Sequence, residues 1–303
     1  MNSGYLTKNS DIYSVITQIS SEIASAKLSS NNQVILNNLD FNLINRIMIQ
    51  TLLYGNCYVI PINQGLDGFK LIDNSSVEIE IDNKNNITYK FNDNDSNEVT
   101  TYDSSEVLHF RINPSDSYGL DGTSPLESLK ATLDIQQSAN NILKKFYSQG
   151  VHGSLVLKLN SVLDKDKKDK LRNKFVDSIN DNLGAIVTDQ SMDISTLSNA
   201  IDSDILKIAQ NTDYLSEQVA KAFSVPNFVL GVEDNHSNQE QVQNTYNNAL
   251  MNIYQPIIES ELNAKLSGSY SFSNVKYLSI NDLISLKENE ILTNEDIKKS
   301  LKI

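Results

Sequence analysis

The amino-acid sequence predicts an α+β protein, and three observations carry that prediction. Two long amphipathic stretches, residues 124–150 and 202–226, have helical spacing of their apolar positions. Residues 56–112 change to short apolar runs separated by Asn, Asp and Ser, the pattern of strands joined by tight turns. Between the two long helices lies a compact stretch with its own strand and helix signals.

In order along the chain, residues 10–27 read as a helix, with Ser10 as cap and Ile12, Val15, Ile16, Ile19 and Ile23 on one face. A polar connector, 28–38, leads to a second helix that Asp40 caps, that Phe41, Ile44, Met48 and Leu52 stripe, and that Gly55 ends. Strands are expected at 57–62, 69–72, 77–81, 87–91, 98–102 and 107–112, with turns at 82–86 and 92–97, forming an antiparallel meander.

The first long helix carries a full set of start signals. Gly119 and Gly122 free the preceding loop, Ser124 caps, Pro125 fits the first helical position, and Glu127 completes a Ser-x-x-Glu capping box. Leu126, Leu129, Leu133, Ile142, Leu143 and Phe146 are read as its stripe and Gly150 as its end, a length of roughly 35 Å at 1.5 Å per residue. Gly150 and Gly153 hinge the insertion, which reads as strand 154–159, helix 164–180 and strands 185–188 and 192–197. Asp202, Ser203 or Asp204 caps the second long helix, with Ile205, Ile208, Ala209, Leu215, Val219, Ala222 and Phe223 on its apolar face, and Pro226 is read as its stop. A loop, 227–237, begins apolar at Phe228, Val229 and Leu230 and ends polar at Glu233, Asp234, Asn235 and His236. Asn238 and Gln241 then open a helix to about residue 266 that Pro256 should kink. Gly268, a strand at 270–278 and short helices at 281–288 and 294–299 close the chain.

With 303 residues, 39% hydrophobic and 21% charged, the chain can bury a large core divided among two or three subdomains. No apolar run approaches the ~20 residues that span a bilayer, and the first residues lack the layout of a signal peptide. Cys57 is the only cysteine, which excludes an intrachain disulfide and suits synthesis in a reducing cytoplasm. The formal net charge of −13, with a pI near 4.7, excludes a broad phosphate-gripping surface but is compatible with a negative wall around DNA.

Catalytic patterns are missing. There is no phosphate-binding Gly-x-x-x-x-Gly-Lys loop, no Gly-x-Gly-x-x-Gly after a strand and no nucleophile elbow, and His109, His152 and His236 fall in separate regions without metal-ligand spacing. No enzyme activity, cofactor or metal is expected. Glu78 and Glu80 alternate on a strand and read as a solvated face, and Cys57 reads as core. Lys165, Lys167, Lys168, Lys170, Arg172 and Lys174 gather on the insertion helix among Asp164, Asp166 and Asp169. That run is either a solvated helix face or a contact for a partner or a nucleic acid at the tip of the insertion.

Several short pieces carry a family resemblance: Gly55-Asn-Cys-Tyr58, Val107-Leu-His-Phe-Arg111, Gly119-Leu-Asp-Gly-Thr-Ser-Pro-Leu126, Ala220-Lys-Ala-Phe-Ser-Val-Pro226 with Leu230-Gly231, Asn238-Gln-Glu-Gln241 and Ile291-Leu-Thr-Asn-Glu295. In order and spacing the chain resembles the HK97-like tailed-bacteriophage portal proteins. That family has more chain before the first helix and between it and the second, and often a longer tail, so a compact version or a trimmed chain is expected. The resemblance implies a portal-type fold with a wing (1–123 and 238–280), a first stem helix (124–150), a clip (151–201), a second stem helix (202–226), a tunnel loop (227–237) and a minimal crown (281–303). It implies a dodecameric ring at a unique capsid vertex of the virion, made in the bacterial host cytoplasm. The ring passes double-stranded DNA and docks the large terminase subunit, the head-tail adaptor and the major capsid and scaffolding proteins, with no membrane involved. On that mapping Phe228, Glu233, Asp234, Asn235 and His236 belong to the tunnel loop, and the lysine-rich run is the clip's partner contact. The rival readings are a cytoplasmic interaction scaffold and a carboxylate-based enzyme, both unrelated to DNA.

Overall fold

The structure, a computed structural model, describes residues 9–92, 99–148, 155–159, 164, 166–170, 173–174, 192–196, 212–232, 239–274, 277–278, 280–289, 291, 293–295 and 298. The chain divides into two compact units, one of Met1–Thr132 with Thr212–Ile303 and one of Leu133–Asn211.

In the first unit, helix α1 (Ser10–Ser25) buries Ile12, Val15, Ile16, Ile19 and Ile23, the expected stripe. Its cap is Asn9, one residue before the expected Ser10, because the Asn9 side chain accepts the amide protons of Asp11 and Ile12. The expected connector is ordered. Strand β1 (Leu28–Ser30) is followed by helix α2 (Gln33–Asn38), which Asn32 caps. A three-residue strand is too short for alternation to reveal it. Helix α3 (Phe41–Tyr54) packs against α1, capped by Asp40 through the amide of Leu43 at 2.8 Å, and ends at Gly55 in the left-handed region. Ile44, Ile47, Met48 and Leu52 are buried, whereas Phe41, in the first turn, is exposed and not part of the stripe.

The strand run forms two antiparallel sheets. Strands β2 (Asn56–Pro61), β3 (Phe69–Ile72) and β7 (Leu108–Arg111) lie in the order β3-β2-β7. Strands β4 (Val77–Ile81), β5 (Ile87–Asn92) and β6 (Val99–Asp103) follow in sequence. The meander expectation therefore holds for β4–β6 only, because β7 returns to pair with β2 in the register Tyr58↔His109. Tyr58, Tyr89, Phe91 and Val107 form a buried cluster with Ile60, Ile72, Val77, Ile79, Ile87 and Tyr102 packed against it. Glu78 and Glu80 point outward, and Lys90 pairs with Glu80, as the solvated-face reading requires.

The second half of this unit begins with helix α5 (Thr212–Ala222), which buries Leu215, Val219 and Ala220. It ends before Pro226 can act. Val225 N donates to Ala220 O and Ser224 N to Lys221 O, with Ser224 at φ 51, a Schellman closure made by serine in place of glycine. A 3-10 turn, Asn227–Leu230, follows. Helix α6 (Gln239–Ala249) passes through a π turn (Leu250–Tyr254) into α7 (Gln255–Lys265). Pro256 lacks an N–H and would press on the carbonyl four residues back, and the wider π turn relieves that clash. The Tyr254 hydroxyl donates to Phe223 O at 2.5 Å, fastening the end of α5 to the π turn. Among the described residues of the expected strand at 270–278, the strand is β10 (Tyr270–Phe272), which pairs with β1, and α8 (Ile280–Glu288) follows.

Helix α4 (Pro125–Ser148) runs for 24 residues. In the second unit, β8 (Leu155–Leu159) and β9 (Met192–Thr196) pair antiparallel from Leu155↔Thr196 to Leu159↔Met192. Asp164 accepts the amide of Lys167 at 2.9 Å and caps helical residues 166–170 and 173–174. Gly150, Gly153, the strand at 185–188 and the caps Asp202, Ser203 and Asp204 lie outside the described residues.

Candidate functional site at the start of the long helix

Three of the short pieces singled out in the sequence meet where α4 begins. Gly55 and Gly122 touch backbone to backbone. A Cβ on Gly55 would lie 2.0 Å from Gly122 O, and one on Gly122 would lie 2.1 Å from Gly55 O. Only glycine at both positions permits this approach. Asn56 closes the contact, accepting from Gly122 N at 2.9 Å through Oδ1 and donating to Gly122 O at 3.1 Å through Nδ2. Ile112 N donates to Gly55 O and Thr123 N to Ile112 O, so the loop is tied to the end of β7. Ser124 serves two helices at once. Its hydroxyl donates to Leu52 O at 2.7 Å, in the last turn of α3, and accepts from Leu126 N at 3.1 Å, in the first turn of α4. One side chain thus satisfies an orphan carbonyl and an orphan amide. Glu127 reaches Lys130 at 3.3 Å, in place of the return bond of the expected capping box.

Beneath the loop, His109 is 1% exposed. Its Nε2 lies 2.9 Å from Asn56 Oδ1 and its Nδ1 lies 3.0 Å from the Tyr89 hydroxyl. Asn56 Oδ1 is fixed as an acceptor by Gly122 N, so His109 Nε2 carries the proton and Nδ1 accepts from tyrosine. Burial, with Arg111 and Lys265 adding positive charge, holds the His109 pKa down at about 2, so the ring is neutral at pH 7. Glu261, from α7, accepts from His109 N at 2.8 Å and from Lys265 Nζ at 2.7 Å, and lies 3.6 Å from Arg111. Lys265 also donates to Val107 O at 2.6 Å. Arg111 donates to Gly119 O at 2.7 Å, and Asp116 holds Asp121 N at 2.7 Å.

These bonds form one network. It ties the end of α3, β7, α7 and the loop to the first turn of α4, with both ring nitrogens of His109 occupied. Cys57 is fully buried, and burial pushes its thiol pKa up and away from reactivity. Among the described residues no group of three or more His, Cys, Asp and Glu is placed to hold a metal. Sequence reasoning noted His109 as a histidine without metal-ligand spacing and missed Asn56, Glu261 and Lys265. The signal available was the pairing of Gly55-Asn56 with Gly122 and of His109 with Arg111, but only the register of β2 with β7 puts them together.

The other expected site residues are placed in part. Phe228 is 40% exposed, with its ring edge-on to Tyr246 at 6.2 Å, and Val229 is buried, so the start of the 227–237 loop is anchored to α6 and not free. Glu233, Asp234, Asn235 and His236 lie outside the described residues, as do Lys165 and Arg172. Lys167, Lys168, Lys170 and Lys174 are exposed, and Lys167 lies 3.5 Å from Asp164.

Comparison with known proteins adds to this geometry. A family model described as "Phage portal protein" matches residues 32–293. No curated protein matches the chain by sequence. Among solved structures, an HK97 family phage portal protein from Corynebacterium diphtheriae is 14% identical with a TM-score of 0.66, covering 94% of this chain and 98% of that one. A chain in the neck of an empty gene transfer agent particle is 13% identical with a TM-score of 0.66, covering 100% and 94%. A chain in the neck of the native particle, computed with C12 symmetry, is 12% identical with a TM-score of 0.63, covering 97% and 91%. At these identities the structural likeness is one of fold.

Proposed function

The chain belongs to the phage portal protein family, and from that membership we propose that it assembles as a dodecameric ring at one vertex of a virion. The ring is the channel through which double-stranded DNA enters and leaves the capsid. The observation that carries this reading is the family match, which extends over residues 32–293 and so takes in both compact units. The fold shared with a neck chain in a C12 assembly supports the subunit number.

In this reading the body built on α1, α3 and the two small sheets is the wing, α4 and α5 belong to the stem, and the unit around β8 and β9 is the clip. Residues 227–237 are the tunnel loop and those after about 281 a minimal crown. The junction of Gly55, Asn56, Gly122 and His109 then has a defined job, anchoring the first turn of the first stem helix to the wing. Lys167, Lys168, Lys170 and Lys174, exposed on an acidic chain, suit docking of the large terminase subunit and the head-tail adaptor, because complementary charge guides encounter. Contacts with the major capsid and scaffolding proteins belong to the same proposal.

Electron microscopy of the purified full chain tests it. Closed rings of about twelve subunits are expected. A protein that stays monomeric or dimeric at every concentration would instead fit a scaffold or an enzyme.

A further inference from the structure

Away from the junction, the first unit contains a cavity of about 370 Å3 between α1, α6 and residues 277–278. Glu22, Glu240, Leu250, Leu278, Tyr246 and Tyr277 are among the residues that line it. Tyr246 is 7% exposed. Its hydroxyl is buried with no hydrogen-bond partner among the described residues. Burial, then the nearby Glu22 carboxylate, raises the pKa of that hydroxyl, so it remains protonated. A buried hydroxyl without a partner costs roughly 1–3 kcal/mol, and native structures rarely leave one so.

We propose that this cavity binds an organic cation, an alkylammonium or guanidinium group. Both glutamates hold contacts of their own, but a carboxylate has about four lone-pair sites and accepts further donors. Two carboxylates on α1 and α6 suit a positive group with several N–H donors. A bare metal ion fits poorly, since the space is far larger than one ion and no described group of three or more ligating side chains surrounds it. Tyrosine rings attract cations on their faces, and Leu250 and Leu278 suit the methylene stem that carries an amine. The site requires neither a ring nor DNA.

The group has two possible sources, a free diamine or a Lys or Arg side chain from a second copy of the chain. Calorimetric titration of the full-length protein with putrescine reads the first, with magnesium chloride at equal ionic strength as control. Putrescine is expected to bind and magnesium not to displace it. Glu22→Gln should weaken putrescine by about tenfold, the effect of losing one charge-assisted bond, and Tyr246→Phe severalfold. Should Glu22→Gln unfold the chain, Glu240→Gln on the exposed first turn of α6 replaces it. If a second copy supplies the group, Glu22→Gln lowers the sedimentation coefficient of the assembled protein, and excess putrescine does the same to the wild type. Failure of putrescine to bind, together with unchanged sedimentation in Glu22→Gln, overturns the proposal. So does putrescine binding with wild-type affinity in both Glu22→Gln and Tyr246→Phe. Neither overturning result bears on ring formation itself, which microscopy reads separately.

Discussion

Gly55 carries two burdens in one residue, a left-handed backbone at φ +83 and a contact with Gly122 that leaves no room for a methyl group. Gly55→Ala combines backbone strain with overpacking against a carbonyl that cannot swing away. We expect a loss of about 2–5 kcal/mol, read as a lower urea midpoint. Gly119→Ala, where nothing lies within 4 Å, meets only the cost of its positive φ and should lose about 1–2 kcal/mol. Equal losses in the two variants would remove the close approach as the cause. His109 makes a second prediction at this scale. Its folded pKa, about 2, is depressed below the ordinary histidine value of 6.5. The stability it contributes by staying neutral is therefore present above pH 6.5 and is lost as pH falls from there toward 2, because the unfolded chain takes up a proton that the folded chain refuses. Between pH 7 and 5 the wild type should lose about 2 kcal/mol by this route, at 1.36 kcal/mol per pH unit. His109→Gln should lack that slope in urea unfolding measured at both pH values. A slope unchanged by the substitution would assign it to the carboxylates.

At the scale of elements, what the sequence made legible was local. The apolar stripe of α1, the Asp40 cap of α3, the Ser124 cap of α4 and the short strands all rest on neighbours within a few residues, where periodicity and capping act. What stayed hidden depends on distant partners: β7 returning to β2, β1 finding β10, and Glu261 reaching His109 across 152 residues of chain. The end of α5 was hidden for another reason, since a serine in the left-handed region is an uncommon choice that no glycine announces. One stripe was misread on geometry. Ile142 was grouped with Leu133 on α4, yet nine residues at about 100° each turn the helix by about 180°. Leu126, Leu129 and Leu133 are accordingly buried, while Ile135 and Ile142, seven residues apart and on one face, are 61% and 42% exposed. In the ring we propose, that face is where a neighbouring subunit packs. Ile135→Asp with Ile142→Asp should leave the melting temperature of the isolated chain unchanged within a degree or two and abolish rings in the microscope, since surface substitutions cost little and a charge in a dry interface costs much. Leu133→Asp should instead unfold the chain. Rings formed normally by the double variant would mean that this face of α4 lies outside the interface.

The molecule as a whole is acidic, with a net charge of −13 per chain, and in a ring those charges surround whatever passes through it. A channel has to admit a polyanion without holding it, and like charge on the wall lowers the depth of any bound state. In the ring we propose, the 227–237 loop is where wall and DNA would come closest. Its first residues are fastened down, Phe228 against Tyr246 and Val229 in the core, so the part that would face DNA is the stretch with Glu233 and Asp234. Changing both to Lys reverses two charges per subunit on that stretch while leaving its anchors intact. Rings should still form. They should now retain double-stranded DNA at low salt and release it as salt rises, since each phosphate paired with a lysine frees counterions and steepens the salt dependence. Packaging should slow, because contacts that hold the backbone have to be broken at each step. Rings of this variant that translocate at the wild-type rate, with no salt-dependent retention, would place Glu233 and Asp234 away from the channel.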